Sequence, residues 1–410
     1  MRVVERHVKS GNKSKVNAYI MAMYVFQFGF LQPIASLVNS QIPVAVFTLI
    51  LILVALFHNE FKFKRYVVIV SIFLNTFFLA NAIVLSPHAR NILAVYVEFL
   101  AKGLSAFVIA SLPVDDEELY SSFLIIAVVN FFAIGLYPFV SFLSSMNYMR
   151  FGYAMLPSVI MFAYALFDSK FRSVFWLAAF LLSSLLMLIY GSRGTIVALL
   201  IYTVLIFVSS KTISAKKKLL FLVIVTTLTL TIIEFDLLTK GLDYLYFDMG
   251  IKTYSLAKLR MMTASGLAVS SSGRDTLYKA LVEIIKKSPA IGHGVGATQR
   301  YLGEGSTAHN IFLQILVETG IVGLICWSLM WFFCLIEYFR IGKTRGTGFY
   351  RIVTMLGAIS FGRLLVSSDM WLRPEYWFFT SMLISSYVGR NRIGSQAPRR
   401  RDLSSPHFYP

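Results

Sequence analysis

Four side chains in the second half of the chain have the chemistry to bind an anion and to move a proton: Arg193, Arg274, Arg300 and His309. A guanidinium group is planar and charged at neutral pH, so it gives paired, charge-assisted hydrogen bonds to phosphate oxygens. A neutral imidazole can accept a proton from a hydroxyl group, and such general-base help contributes a rate factor on the order of 10²–10⁴. These residue types therefore suit the transfer of a group away from an anionic leaving group.

Three of the four residues lie in or at the end of a long polar segment, residues 237–308. It contains nine Lys or Arg and five Asp or Glu, a net charge of nine minus five, or +4. An excess of cations indicates an anionic partner, although lysine and arginine side chains can also extend to lipid headgroups. Within the segment we expect residues 237–267, which are rich in aromatic side chains, to lie at the membrane interface. We expect a short helix over 276–287, with Arg274 just before its N-terminal end. A Gly-rich loop should follow this helix and lead to Arg300.

The rest of the chain must position this segment in a membrane. The chain is 57% hydrophobic, and its apolar runs have the length needed to cross about 30 Å of hydrocarbon. A backbone in lipid must satisfy its own hydrogen bonds, and no period-two pattern indicates a barrel, so the predicted class is all-α, a polytopic protein with about twelve transmembrane helices. The predicted spans are 17–38, 42–58, 66–85, 91–111, 119–142, 153–167, 172–190, 193–210, 218–236, 309–338, 348–366 and 376–389.

The basic residues predict the orientation, because cytoplasmic connectors carry an excess of Lys and Arg. The chain then divides into a cytoplasmic N-terminus (1–16), transmembrane helices 1–9 (17–236), one large extracytoplasmic loop (237–308), helices 10–12 (309–389) and a basic cytoplasmic tail (390–410). The net charge of +18 is mostly this topology signal. No nucleic-acid partner is expected, since the basic residues neither share one soluble face nor belong to a recognisable nucleic-acid-binding module.

Several other residues near the outer ends of spans also have expected roles. Arg363 either extends to the lipid headgroups or joins an anion pocket. Glu318 follows His309 by nine residues and so lies on another helix face, where we expect it to support packing and not to orient the imidazole. Trp371 and Trp377 flank an outer connector and are expected to anchor the chain at the interface.

Four short motifs follow one another around the large loop. They are Gly191-Ser-Arg-Gly194, Ser272-Gly-Arg274, Ser288-Pro-Ala-Ile-Gly-His-Gly-Val-Gly296, and the stretch from Ala308-His309-Asn310 to Gly323. In the order of these motifs, and in their placement around one loop, the chain resembles the O-antigen polymerase and O-antigen ligase superfamily. The resemblance covers residues 191–323; before them the likeness is one of span number and hydropathy.

The resemblance implies a helical, metal-independent membrane glycosyltransferase. Its donor would be a glycan linked to undecaprenyl diphosphate. Arg193 and Arg274 match the arginines expected to hold the diphosphate, and His309 matches the histidine expected to activate the acceptor hydroxyl. Arg300 has no firm counterpart and is a weaker electrostatic candidate. We expect no metal and no cofactor, because the acidic run at 115–118 falls on the other side of the membrane.

The acceptor decides between two activities of this superfamily. A polymerase joins one lipid-linked repeat unit to another, whereas a ligase transfers the finished polysaccharide to the lipid A core. We prefer the polymerase because it is the broader group; no residue decides the choice. A lipid or polysaccharide transporter is a further alternative. The expected setting is lipopolysaccharide biosynthesis in the bacterial inner membrane, with membrane lipids and a chain-length regulator protein as candidate partners.

Overall fold

The computed structural model describes residues 2–84, 89–135, 137, 148–167, 174–209, 237–269, 274–303, 306–344, 347–366 and 369–396. Their regular structure is helical, which confirms the predicted all-α class. The helices are α1 (Arg2–Phe30), α2 (Gln32–Leu37), α3 (Ile42–His58), α4 (Arg65–Val84), α5 (Ala89–Phe99), α6 (Ser105–Ile109), α7 (Asp116–Gly135), α8 (Tyr148–Phe167), α9 (Val174–Tyr190), α10 (Arg193–Ser209), α11 (Leu237–Asp243), α12 (Tyr254–Val269), α13 (Arg274–Lys287), α14 (Ala297–Leu302), α15 (Ile311–Thr344), α16 (Thr347–Leu364) and α17 (Pro374–Gln396), with π-helical turns at Leu100–Leu104 and Tyr244–Asp248.

Among the described residues, five helices are long and apolar enough to cross a membrane. They are Asn12–Leu37, Ile92–Ile109, Asp116–Gly135, Tyr148–Leu166 and Ile311–Gly342, and the shorter apolar helices are Ile42–His58, Arg65–Asn81, Val174–Tyr190 and Gly194–Phe207. These helices confirm an integral membrane protein. The predicted span at 218–236 lies outside the described residues, so a total of twelve spans remains a prediction.

Two boundaries differ from the predicted ones. The first helix begins at Arg2 and not near residue 17, because the polar residues before the apolar run continue the same helix. The last helix, α17, runs to Gln396 and so passes the predicted end of its span at 389. The predicted loop 237–308 contains the helices α11 to α14, and its side of the membrane remains a prediction.

The helices sort into an outer group and a central one. Helix α15 carries large apolar side chains on the surface, with Leu329 64% and Phe332 63% exposed, as expected for a face in contact with lipid. Helix α16 is buried along most of its length and packs against α10, α7 and α17. The candidate site lies at one end of this central helix.

Helices α10 and α16 run antiparallel and approach closely. A methyl group added to Gly362 would overlap Ala198, and one added to Gly194 would lie 2.9 Å from a methyl carbon of Val366. Small residues at a contact let two helix backbones approach in a membrane, where packing drives association. The contact places the start of α10, with Arg193, beside the end of α16, with Arg363.

Helix α15 is broken at Gly320, which adopts φ 64° and ψ −164°, although the sequence predicts one continuous span over 309–338. In a regular helix the amides of Ile321 and Val322 would donate to the carbonyls of Val317 and Glu318. Here they donate to Pro289 and Ala290, at 2.9 and 3.1 Å. The Gly-rich loop, residues 288–296, thus supplies the hydrogen-bond acceptors that these two amides lose at the break.

The same loop also supplies the missing donors. The amides of His293 and Gly294 donate to the carbonyls of Val317 and Glu318, each at 2.8 Å. Each backbone group that loses its helical partner finds one in the loop, which is how a broken helix is tolerated at membrane depth. The break was not predicted because these partners lie more than twenty residues earlier in the chain.

The prediction that Trp371 and Trp377 anchor the chain at the membrane interface is wrong. Both are buried, 1% and 2% exposed, and their rings stack with centroids 5.8 Å apart. The Trp371 indole donates to Glu318 Oε2 at 2.7 Å, and the amide of Gly296 donates to Glu318 Oε1 at 3.1 Å. Glu318 therefore ties the Gly-rich loop to the connector before α17, consistent with its expected role in packing.

Candidate functional site

The turn between α9 and α10 lies at the end of the bundle where the candidate residues gather. Helix α9 ends at Tyr190 and α10 begins at Arg193, so almost no loop separates them, as predicted. The structure describes the backbone of Arg193 but not its side chain. The next residue, Gly194, contacts the Tyr153 hydroxyl and Val366. These two neighbours connect the Arg193 position to the rest of the site.

Arg274 is the first residue of α13, and that helix begins close to its predicted position. Its Nη2 donates to the carbonyl of Val366 at 2.7 Å. Because Val366 also contacts Gly194, the structure brings Arg274 to the start of α10. Arg274 and Gly194, the residue after Arg193, therefore have Val366 as a common neighbour.

His309 lies immediately before α15 in a left-handed backbone conformation, with φ 51°. Such a conformation is uncommon for a residue other than glycine and costs free energy, so surrounding contacts must hold it. The Asn310 side chain fixes the helix start by accepting from the amides of Phe312 and Leu313, at 2.9 and 3.2 Å. The Thr307 hydroxyl lies 3.3 Å from the imidazole Nδ1.

Helix α13 connects His309 to Arg274. The Tyr278 hydroxyl donates to the carbonyl of His309 at 3.4 Å. Tyr278 follows Arg274 by four residues, so the two lie on the same helix face, separated by roughly 6 Å along the axis. One rigid element thus positions the candidate base and a candidate diphosphate ligand.

Arg300 has different surroundings. It lies in α14, where its Nη2 donates to the carbonyl of His293 at 3.1 Å and its guanidinium covers the Tyr301 ring at 4.6 Å. These contacts are all within the Gly-rich loop and α14. The structure therefore gives Arg300 a place in the loop and does not bring it to Arg274 by a described contact.

A cavity of about 580 Å³ is lined in part by Tyr153, whose hydroxyl contacts Gly194. Its cationic wall consists of Arg150, Arg363, Arg373 and Lys102, with the carboxyl group of Glu375 among them. Sequence reasoning missed Arg150 and Arg373, and considered Arg363 only as an alternative. The signal was present, because the predicted topology places all three arginines at outer span ends, where positive charge is normally scarce.

The arginines of this cavity are partnered unequally. Arg363 Nη1 lies 3.0 Å from Glu375 Oε1, and the guanidinium covers the Tyr153 ring at 4.5 Å. Arg373 Nε is buried and has no hydrogen-bond partner among the described residues. Burial, and then the charge of Arg363, lower the pKa of Arg373 to about 9. A bound anion would relieve this electrostatic cost.

Residues 178–328 match a protein-family model described as O-Antigen ligase. No curated protein matches the chain. The resemblance to the O-antigen polymerase and O-antigen ligase superfamily is confirmed. Members of this family are membrane glycosyltransferase-type enzymes, and the family implies lipid-linked glycan substrates and a lipid A core acceptor in general.

The O-antigen ligase match includes the four candidate residues predicted from the sequence but none of the described residues that line the cavity. Arg193, Arg274, Arg300 and His309 all lie within residues 178–328. The described residues that line the cavity belong instead to 25–157 and 363–375. The two regions meet at Tyr153, whose ring contacts Arg363 and whose hydroxyl contacts Gly194. The candidate site thus combines residues inside the O-antigen ligase match with residues outside it.

Proposed function

We propose that this protein is a glycosyltransferase that polymerises undecaprenyl-diphosphate-linked oligosaccharide repeat units into O-antigen or a related surface polysaccharide on the periplasmic side of the inner membrane. The observation that carries the proposal is the position of α13. This helix lies inside the region that matches the O-antigen ligase model, bears Arg274 and holds the backbone of His309. A candidate anion ligand and a candidate base are therefore fixed relative to each other.

In the proposed reaction, an acceptor hydroxyl oxygen attacks the anomeric carbon of the donor sugar. The His309 imidazole takes the hydroxyl proton, and the bond between the anomeric carbon and the diphosphate oxygen breaks. The electron pair of that bond stays on the lipid diphosphate that leaves. Arg193 and Arg274 stabilise the developing charge, since fixed guanidinium groups in a site of low dielectric constant need no reorganisation during the reaction. Arg300 adds a longer-range positive charge from the loop.

Ligation to the lipid A core is the second candidate, and the match to a family described as O-Antigen ligase favours it. The donor and the leaving group are the same in both reactions, so His309, Arg193 and Arg274 have the same roles. The acceptor differs, and a ligase would accept the finished polysaccharide only once. The proposed setting is otherwise unchanged, with both termini in the cytoplasm and a chain-length regulator as partner of the polymerase.

Surface glycans of a deletion strain test the proposal. We expect the deletion strain to carry a single repeat unit on its acceptor, and wild type to restore the ladder. His309→Ala and Arg274→Ala should not restore it. Arg90→Gln, a change of the exposed arginine in α5, is the matched control and should restore the ladder.

Two other outcomes would decide against polymerisation. Loss of all attached glycan, with long chains accumulating on the carrier lipid, would identify a ligase. Purified protein that moves lipid-linked sugar across vesicles without forming a glycosidic bond would identify a transporter. Full rescue by both site variants would overturn the assignment of His309 and Arg274.

A further inference from the structure

The cavity beside Tyr153 has the charge of a binding site, and no role is yet assigned to it. Its described lining contains four cationic side chains, those of Lys102, Arg150, Arg363 and Arg373, against the single carboxylate of Glu375. Lys102 also pairs with Glu98 at 2.6 Å and Arg363 with Glu375 at 3.0 Å, so Arg150 and Arg373 are the cations of the described lining without a described ion pair. Guanidinium groups converging on a cavity suit an anion with several oxygens.

Arg373 is the strongest single sign that an anion belongs there. Its Nε is buried without a partner among the described residues, and so is Oε2 of Glu375. Burying a donor of a charged group without a hydrogen bond costs free energy, which a bound acceptor would recover. Arg363 is already engaged by Glu375 and Tyr153, so it does not neutralise Arg373 but raises the local positive potential.

Much of the remaining lining of the cavity is apolar, together with the polar side chains of Gln32, Gln41 and Thr48. Helix α1 contributes Val25, Phe26 and Phe28, and helix α3 contributes Leu49 and Ile52. Leu49 is 55% exposed, on the same face of α3 as the exposed Val46 and Ile50 that do not line the cavity. The apolar wall therefore continues onto the surface that faces lipid. A cationic end joined to an apolar, laterally open wall fits a lipid with an anionic headgroup.

We propose that this cavity binds the diphosphate headgroup of the acceptor lipid, while Arg193 and Arg274 hold the diphosphate of the donor. The inference rests on the proposed polymerase function, in which both substrates are lipid diphosphates. Two such anions bound at once repel each other, so each needs its own cations. The cavity arginines lie outside the matched region 178–328, and they provide a second set at the contact between Tyr153 and Gly194.

The number of bound lipids tests this assignment. Purified protein in nanodiscs of neutral phosphatidylcholine is titrated with undecaprenyl diphosphate, and bound molecules are counted by native mass spectrometry. We expect two molecules on wild type and on Arg90→Gln. Arg373→Gln should keep one molecule and raise the Kd of the second by about tenfold to a hundredfold. Arg274→Gln should instead weaken the other molecule, and Arg373→Lys should restore part of the second.

Retention of the first molecule by Arg373→Gln shows that the variant is folded. The assignment is overturned if wild type binds at most one molecule, if Arg373→Gln binds the second as wild type does, or if Arg373→Gln binds none. Nanodiscs that contain phosphatidylglycerol form a further arm. Displacement of the second molecule by that lipid would identify a site for ordinary phospholipid headgroups and would also overturn the assignment.

A different measurement, the rate of glycan transfer, tests the proposed function separately from the cavity assignment. If wild type binds two molecules of lipid diphosphate but His309→Ala transfers glycan at the wild-type rate, the catalytic proposal is wrong and the cavity assignment stands. If His309→Ala is inactive and only one molecule binds, the catalytic proposal stands and the cavity assignment is wrong.

Discussion

The arginines of the matched region and those of the cavity differ in what holds them. Arg274 and Arg300 each donate to a backbone carbonyl, of Val366 and His293. Arg300 and Arg373 each have a buried Nε without a described partner, but Arg300 is held by its backbone bond and by its contact with the Tyr301 ring. For Arg373, the charges of Glu375 and Asp369 only partly offset its burial and the charge of Arg363. An arginine that is held by the backbone is positioned before substrate arrives. The recognisable motifs therefore mark the more rigid part of the site, and the proposed second binding site lies outside residues 178–328.

The largest expected effect lies in the matched region, at His309. His309→Ala should lower the transfer rate on the order of 10²–10⁴-fold, since it removes the proposed proton acceptor. Binding of lipid diphosphate should remain as in wild type, because the imidazole contacts neither proposed diphosphate. Transfer rates of His309→Ala and Arg373→Gln, measured with purified donor and acceptor lipids, compare the two regions. Arg373→Gln, the cavity variant, should mainly raise the KM of the acceptor. Equal kinetics for the two variants would remove the distinction between the regions.

Rigidity of the matched region is tested at Gly320. A side chain there would require a positive φ, at about 1–2 kcal/mol, and would overlap the backbone of Ala290 and Ile291. Gly320→Ala should therefore lower the free energy of unfolding by more than this amount. Gly250→Ala, with φ 68° and open space, should show only the cost of φ, and the helical Gly241→Ala neither cost. Thermal unfolding in detergent measures the series, and equal values would mean that the loop is not docked on the break.

Within the matched region, Arg274 and Arg300 should contribute unequally to donor binding. Arg274→Gln should lower kcat/KM for the donor by about tenfold to a hundredfold, because it removes charge-assisted hydrogen bonds to the diphosphate. Arg300→Gln should have a smaller effect, since Arg300 lies in the loop and acts only at longer range. Donor-dependent kinetics of the two glutamine variants provide the measurement. A larger loss for Arg300→Gln would move the diphosphate towards the Gly-rich loop.

The smallest effect, and one specific to the cavity, is its pH dependence. Free Arg373 has a pKa of about 9, and a bound anion favours the charged guanidinium. Binding of the second lipid diphosphate therefore takes up a proton above pH 9, and its affinity should fall by up to tenfold per pH unit there. Arg373→Gln, which has no titrating group, should not show this profile. A pH-independent wild-type affinity between pH 8 and 10 would contradict the assigned role of Arg373.

The helices could be predicted from the sequence because their cause is local. Apolar runs of sufficient length predicted most spans, and spacing predicted the helix over 276–287, which forms α13 as Arg274–Lys287. The break at Gly320 depends on hydrogen bonds to residues 289–294, so no local pattern contains it. The tryptophans near α17 were misassigned because an interfacial and a buried tryptophan look alike in sequence; only the packing against Glu318 distinguishes them.

The candidate site, too, could be predicted only in part from the sequence. Motif resemblance located Arg193, Arg274 and His309, which lie in consecutive parts of one region. Arg373 could not be found by this route, because its role depends on α1 and α3, more than three hundred residues earlier in the chain. Its buried charge is a property of the assembled bundle and has no signature in the residues beside it.

The closing wall of the cavity has a consequence for biosynthesis. Residues 372–375, which complete the described lining of the cavity, are synthesised after the motifs and α15. Arg274 likewise depends on Val366, ninety-two residues later in the chain. A nascent or truncated chain that ends before Leu372 therefore carries every recognisable motif but lacks Arg373 and Glu375. Under the proposed assignment, such a chain does not bind the second lipid and does not compete for this substrate in the membrane.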